Sequence, residues 1–134
     1  MAGISTHVLD TATGLPAAGV GVRLERLEPE DDEPVARPDP GEPPHRTAPA
    51  GPGELLRVAS TDGDGRVAEL LPAGQPLAAA DYRLTFDTGS YFAGRGVEAF
   101  YPYAAIVFRV SDPGRHHHVP LLLSPFGYST YRGS

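Results

Sequence analysis

The chain has 134 residues, a length that suits one domain, and 17 acidic against 11 basic side chains give it a formal charge of -6. It contains no cysteine, which excludes disulfides, thiolate-held zinc, iron–sulfur clusters and a cysteine nucleophile, and is compatible with the cytoplasmic location expected. All 11 basic residues are arginine, so Schiff-base chemistry and a Walker-type phosphate lysine are excluded too. The acidic balance argues against nucleic acid as a partner, no apolar run approaches the roughly 20 residues of a membrane span, and the segment from Met1 to His7 has neither the basic nor the apolar region of a secretion signal.

Sixteen glycines and 15 prolines are too many for long helices and fit short strands joined by turns. In chain order, Ile4–Asp10 is a strand candidate, closed by the turn residues Thr13-Gly14-Leu15-Pro16. Val20, Val22 and Leu24 then alternate with Gly21, Arg23 and Glu25, the period of a half-buried strand. Residues 28–57 hold eight prolines, eight acids and three arginines, so most of the net charge lies there. With few large apolar side chains to offset ordering entropy, about 29–53 reads as a mobile surface loop inserted in the domain. Strand candidates follow at 55–61 and 66–70, separated by Asp62-Gly63-Asp64-Gly65. Tyr82, Leu84 and Phe86 alternate with Arg83, Thr85 and Asp87; about 89–98, with Tyr91, Phe92 and Val97, holds a short helix. Ala104, Ile106, Phe108 and Val110 share one strand face, and His117, Val119, Leu121 and Leu123 another. Pro120 within that last run points to an edge or a bulge. Seven or eight short strands with clear turns predict an antiparallel β-sandwich.

Few residues offer chemistry. Arg66 opens a strand after a Gly-rich turn that lacks the twelfth-position Glu of an EF-hand, that place being Ala73. It is either a solvated strand-end charge or a fixed fork for a planar, anionic ligand. His116, His117 and His118 cannot share a face; period two pairs His116 with His118. That pair is compatible with zinc ligation completed by a third residue such as His7, with acid–base work, or with an idle polar face. His7 lies opposite Ile4, Thr6 and Val8. No G-x-S-x-G marks a serine nucleophile. The last nine residues, Phe126 to Ser134, are aromatic and polar to the end, which fits either a last edge strand or a tail docked in a site.

Taken together, several segments carry a family likeness. They are His7-Val8-Leu9-Asp10 with Thr13-Gly14-Leu15-Pro16-Ala17, Thr61-Asp62-Gly63-Asp64-Gly65-Arg66, the stretch from Tyr82 to Phe92, Phe100-Tyr101-Pro102, and the run from His116 to the ending Tyr131-Arg132-Gly133-Ser134. The chain resembles the 5-hydroxyisourate hydrolases, the transthyretin-related enzyme family, and its ending separates it from the hormone carriers of that fold. The resemblance implies one transthyretin-like antiparallel β-sandwich of about eight strands with one short helix over 1–134. It implies a homotetramer, a dimer of dimers with sites at the dimer–dimer interface, acting on a small-molecule substrate. The implied reaction is hydrolysis of the lactam bond of 5-hydroxyisourate in urate breakdown. The alternative is a non-catalytic carrier of small aromatic ligands. By motif position His7, Arg66 and His118 are the central residues, Tyr131, Arg132 and Ser134 contribute from the C-terminus, and His116 accompanies them. No cofactor is expected and no metal is assigned. The chain departs from the family at His117, where a tyrosine is frequent, and in its long acidic loop.

Overall fold

A computed structural model describes residues 2–27 and 53–133. The expected loop at 29–53, Gly53 apart, lies outside the described residues, as do Met1 and Ser134. Two sheets face each other. The first contains β1 (Ile4–Asp10), β2 (Leu15–Pro16), β5 (Arg66–Val67), β8 (His117–Ser124) and β9 (Gly127–Thr130). Its path runs β2-β1-β8-β9, with β5 also paired to β1. The second runs β4 (Glu54–Ser60), β3 (Gly21–Arg26), β6 (Ala80–Phe86), β7 (Ala104–Val110). The only helix among the described residues, α1 (Thr88–Ala93), follows β6.

The alternation seen in the sequence becomes the core. Ile4 and Val8 of β1, Val22 and Leu24 of β3, Leu84 and Phe86 of β6, and Leu121 and Leu123 of β8 all turn inward and are buried. Each such side chain contributes about 1.5–3 kcal/mol by leaving water. Helix α1 is shorter than the expected 89–98. Asp87 caps it by accepting the Ser90 N–H, and the Val97 N–H closes back onto the Phe92 carbonyl. Thr88, Tyr91 and Phe92 are its buried face. The strand expected at 66–70 is only two residues long, and the tiny β2 brings the number of strands among the described residues to nine.

The sandwich is not wholly antiparallel. The ladder between β1 and β8 is parallel, from Ile4↔His117 to Asp10↔Leu123. Two strands this far apart in sequence are joined through the whole second sheet, so no hairpin imposes an antiparallel course. Pro120 is accommodated because its missing N–H falls on the β9 side, where the ladder stops at Leu121↔Thr130; there the Thr130 hydroxyl donates to the Pro120 carbonyl at 2.7 Å. Among the described residues no helix is long and apolar enough to cross a membrane.

Asp10 ends β1 and ties three parts of the fold together. One carboxylate oxygen accepts the N–H groups of Ala12 and Thr13, at 2.9 and 3.3 Å. The other accepts the Tyr91 hydroxyl at 2.8 Å. The side chain is buried, so Asp10→Ala strands a buried phenol and opens the turn. We expect a loss of about 1–3 kcal/mol in urea unfolding; a change within about 0.5 kcal/mol, as at an ordinary surface site, would contradict this account.

Candidate active site

The outer face of the first sheet carries the chemistry. On β1, alternation turns Ser5 and His7 outward while Ile4, Thr6 and Val8 face the core. The parallel ladder sets Ser5 beside His118 and His7 beside Pro120. The short β5 sets Arg66 beside His7 from the other side. Two rows therefore cross the sheet: Ser5 and His118 in one, and Pro120, His7 and Arg66 in the next. Diagonal neighbours in adjacent rows lie roughly 7–8 Å apart, within reach of two imidazoles that converge on one small molecule.

A turn fixes Arg66 in that row. Asp62 accepts the backbone N–H groups of Asp64 and Arg66 at 2.9 and 3.0 Å, and these bonds, Arg66's first, hold its carboxyl below the usual range. The Asp62 N–H donates to the Arg66 carbonyl, and the Gly65 N–H to the Asp62 carbonyl. Gly65 has φ of 73°, and a Cβ there would lie 2.4 Å from the Val8 carbonyl oxygen. Only glycine lets the turn press against β1 this closely. Its own carbonyl accepts the Val8 N–H at 2.7 Å.

His118 is held from several sides. Its Nδ1 lies 2.8 Å from Ser5 Oγ, and that same oxygen lies 2.7 Å from His116 Nε2. The Gly133 N–H donates to the His118 carbonyl at 2.8 Å. A Cβ on Gly133 would lie 2.6 Å from His118 Cδ2, so the tail rests on the ring. The β8–β9 register, continued past Thr130, brings Gly133 opposite His118 and Tyr131 opposite Pro120. The remaining ring nitrogen, Nε2, has no hydrogen bond among the described residues, and no buried polar side-chain atom there lacks one; Nε2 is therefore open.

Burial first, then the positive charges of Arg66, His7 and His116, hold His118 below the ordinary imidazole value near 6.5. It is thus uncharged near neutral pH, with a lone pair on one ring nitrogen.

The arrangement brings together His7, Arg66 and His118, with His116 beside them and Tyr131 in the same row. Arg132 is exposed, alternates away from Tyr131 and Gly133, and has no hydrogen bond or ion pair among the described residues. Ser134 lies outside the described residues. His117 turns inward, is buried, and its Nδ1 lies 2.8 Å from the Arg115 carbonyl. Among the described residues no group of three or more His, Cys, Asp and Glu is placed to hold a metal ion. A groove on the other sheet, floored by the Arg83–Glu25 ion pair, shares no residue with this cluster. Ser5 and Gly133 were missed as contributors by sequence reasoning. Period two did set Ser5 on the His7 face, but the pairing that brings it to His118 is not a local pattern.

The fold and this face define a class: a transthyretin-like sandwich with a histidine–arginine cluster on the outer face of one sheet. The model of the HIUase/Transthyretin family matches residues 4–133, and the chain belongs to that family. It is 44% identical over 131 residues to the 5-hydroxyisourate hydrolase of Mus musculus, covering 98% of this chain and 94% of that one. It is 43% identical to the 5-hydroxyisourate hydrolase of Caulobacter vibrioides over the full length of both. Among solved structures it is similar to the Klebsiella pneumoniae 5-hydroxyisourate hydrolase, with a TM-score of 0.72, 38% identity and 98% of each chain covered. It is also similar to transthyretin from Sparus aurata, with a TM-score of 0.77 and 25% identity, covering 99% of this chain and 97% of that one. The backbone is shared with both the hydrolase and the transthyretin, while the identity is higher to the hydrolases.

Because the unfolded chain binds a proton on His118 at higher pH than the folded one, the residue's contribution to stability is present above about pH 6.5. It is lost as pH falls through the lowered native value. Titration of the imidazoles by NMR is expected to place His118 below the ordinary value, and Arg66→Gln to move its midpoint upward. A His118 midpoint at or above 6.5 in the wild type would refute this electrostatic account.

Proposed function

We propose that this protein hydrolyses the lactam bond of 5-hydroxyisourate, giving 2-oxo-4-hydroxy-4-carboxy-5-ureidoimidazoline in urate catabolism. The observation that carries the proposal is an open, uncharged His118 imidazole flanked by Arg66 and His7 on one sheet face. The family relatives of similar length that bear the hydrolase name support it. The carrier alternative has less support: identity to the transthyretin is only 25%, and a carrier has no need of a neutral base beside an arginine.

The substrate is a small planar lactam that ionises readily. The Arg66 guanidinium orients it and disperses the charge that grows on the carbonyl oxygen as that carbon becomes tetrahedral. His118 Nε2 accepts a proton from the attacking water while the water oxygen bonds to the carbon. The carbon–nitrogen bond then breaks, and an imidazolium of the His7–His118 pair returns a proton to the departing nitrogen. The chain has no cysteine or lysine and no serine elbow, so no covalent intermediate enters this scheme. No metal or cofactor enters it either. Tyr131, Arg132 and Ser134 serve as substrate-binding contributors.

The face that holds these residues is the open outer surface of a sheet, and hydrolysis on it calls for a second wall. We assign that wall to another copy of the chain, in a homotetramer built as a dimer of dimers. Two features support self-association. Strands β7 and β9 are both sheet edges, and an exposed aromatic cluster lies near them, in which Tyr101 stacks edge-on against Phe100 and Tyr128. We read the chain as one transthyretin-like domain over 1–134, with the acidic, proline-rich segment at about 29–53 as an insertion. Sedimentation equilibrium is expected to give four times the 14.1 kDa chain mass, and a monomeric, fully active enzyme would end this part of the proposal.

The function is tested by generating 5-hydroxyisourate from urate with urate oxidase and following its decay spectroscopically. Added protein accelerates the decay with or without a chelator. His118→Ala and His7→Ala each lower kcat about 10²–10⁴-fold, whereas Arg66→Ala weakens binding and turnover together. Acceleration abolished by chelation and restored by zinc would replace the scheme with a metal hydrolase; near-wild-type turnover in all three variants would refute the site.

A further inference from the structure

Ser5 lies between two imidazoles and is only 8% exposed. Its hydroxyl has one proton, while His116 Nε2 and His118 Nδ1 both lie within 2.8 Å of it. Both contacts are hydrogen bonds, with the hydroxyl proton used, only if one ring nitrogen donates and the other accepts. Any other state leaves a largely buried hydroxyl proton or a ring nitrogen without a partner, at a cost of about 1–3 kcal/mol. The tautomers of His116 and His118 are therefore tied together through a single oxygen.

Two observations set the direction of that chain of bonds. Beside Gly3, a Cβ would lie 3.1 Å from Glu69 Oε1 and 3.5 Å from His116 Nδ1, so His116 Nδ1 and a carboxylate border the same space. A proton on His116 Nδ1 is favoured there, which leaves Nε2 as the acceptor of the Ser5 hydroxyl. Ser5 then accepts from His118 Nδ1–H. On its other edge the His118 ring is pressed by Gly133, so the ring cannot turn over to exchange its nitrogens without displacing the tail.

We propose that Ser5 is a positioning residue: with His116 it holds His118 as the Nδ1–H tautomer, so that the open Nε2 carries the lone pair. This deepens the hydrolase reading and rests on it for its catalytic consequence. When His118 Nε2 takes a proton, the Nδ1–H bond to Ser5 is already formed and strengthens as the ring becomes cationic, so no reorientation accompanies the step. The charged and titratable groups that face His118 are Arg66 on β5, His7 on β1 and His116 just before β8. None of them is in hydrogen-bond contact with Nδ1, so the tautomer is set by Ser5.

The test uses the intact protein and two readouts. In ¹⁵N NMR above pH 7.5, wild-type His118 is expected to show a protonated Nδ1 and a bare Nε2. Ser5→Ala removes the acceptor and lets the ring shift toward Nε2–H, and His116→Ala, at an exposed position, shifts it in the same direction. In the decay assay Ser5→Ala is expected to lower kcat about 10–100-fold with KM little changed, while Ser5→Thr, which keeps the hydroxyl, restores most of the rate. A wild-type His118 that carries its proton on Nε2 overturns the proposal, and so does full kcat in Ser5→Ala. If the wild type leaves 5-hydroxyisourate decay unaccelerated while the Ser5-dependent tautomer is observed, the hydrolase reading fails and the coupling stands.

Discussion

The parallel ladder between β1 and β8 is the constraint on which the site depends. It joins β1 to β8 in a register that sets Ser5 beside His118 and His7 beside Pro120. A slip of one residue would turn Ser5 and His7 into the core and Ile4, Thr6 and Val8 out to water. The burial of those apolar residues, complete for Ile4 and Val8, thus enforces the chemical alignment on the other face. Thr6 adds a side-chain lock, donating to the Val119 carbonyl at 2.6 Å. Core packing and site geometry are two faces of one register.

Electrostatics adds a second layer. The chain is acidic overall, yet most of its net negative charge lies in 28–57, and the face around His118 gathers Arg66, His7 and His116. Burial first, and then the Arg66 guanidinium, favour the neutral form of His118, which a base requires, and the guanidinium also attracts an anionic ligand. The two needs do not conflict, because the guanidinium does not lose its charge near neutral pH and the imidazole does. The Asp62 turn supplies the rigidity: its carboxylate bonds backbone N–H groups rather than the Arg66 guanidinium, so the turn is fixed without neutralising the arginine.

Most of the sandwich was legible because burial on one face writes a period of two into the sequence. Ile4–Asp10 and Ala104–Val110 emerge with the boundaries their alternation indicated. The parallel course of β8 against β1 was not legible, since nothing in either strand names its partner across more than 100 intervening residues. The same limit hid Ser5. Its local sequence lacks a nucleophile signature, and its significance comes from two histidines brought to it by pairing. The resemblance named His7, Arg66 and His118 together, and strand pairing sets them on one face, but it gave no reason for Gly133. That reason is steric: the space a Cβ would need is filled by the His118 ring. Arg132, by contrast, is exposed and stands apart from the cluster in the single chain, so its proposed role in binding depends on assembly.

The chain end is shaped by the same register. β9 leaves the ladder at Thr130 because Pro120 has no N–H to offer on that side, yet the register resumes where the Gly133 N–H meets the His118 carbonyl. Between those two points the tail passes over β8 with Tyr131 opposite Pro120. A strand that simply continued would fill the ladder with backbone bonds, whereas the proline leaves a gap directly beside the His7 row. The tail is therefore anchored at both ends and unladdered in the middle, next to the catalytic face proposed here. This arrangement accounts for the need for glycine against the ring and for a proline within a strand that is otherwise well formed. Both residues oppose ordinary strand preference, and each does so at a point of contact with His118 or His7.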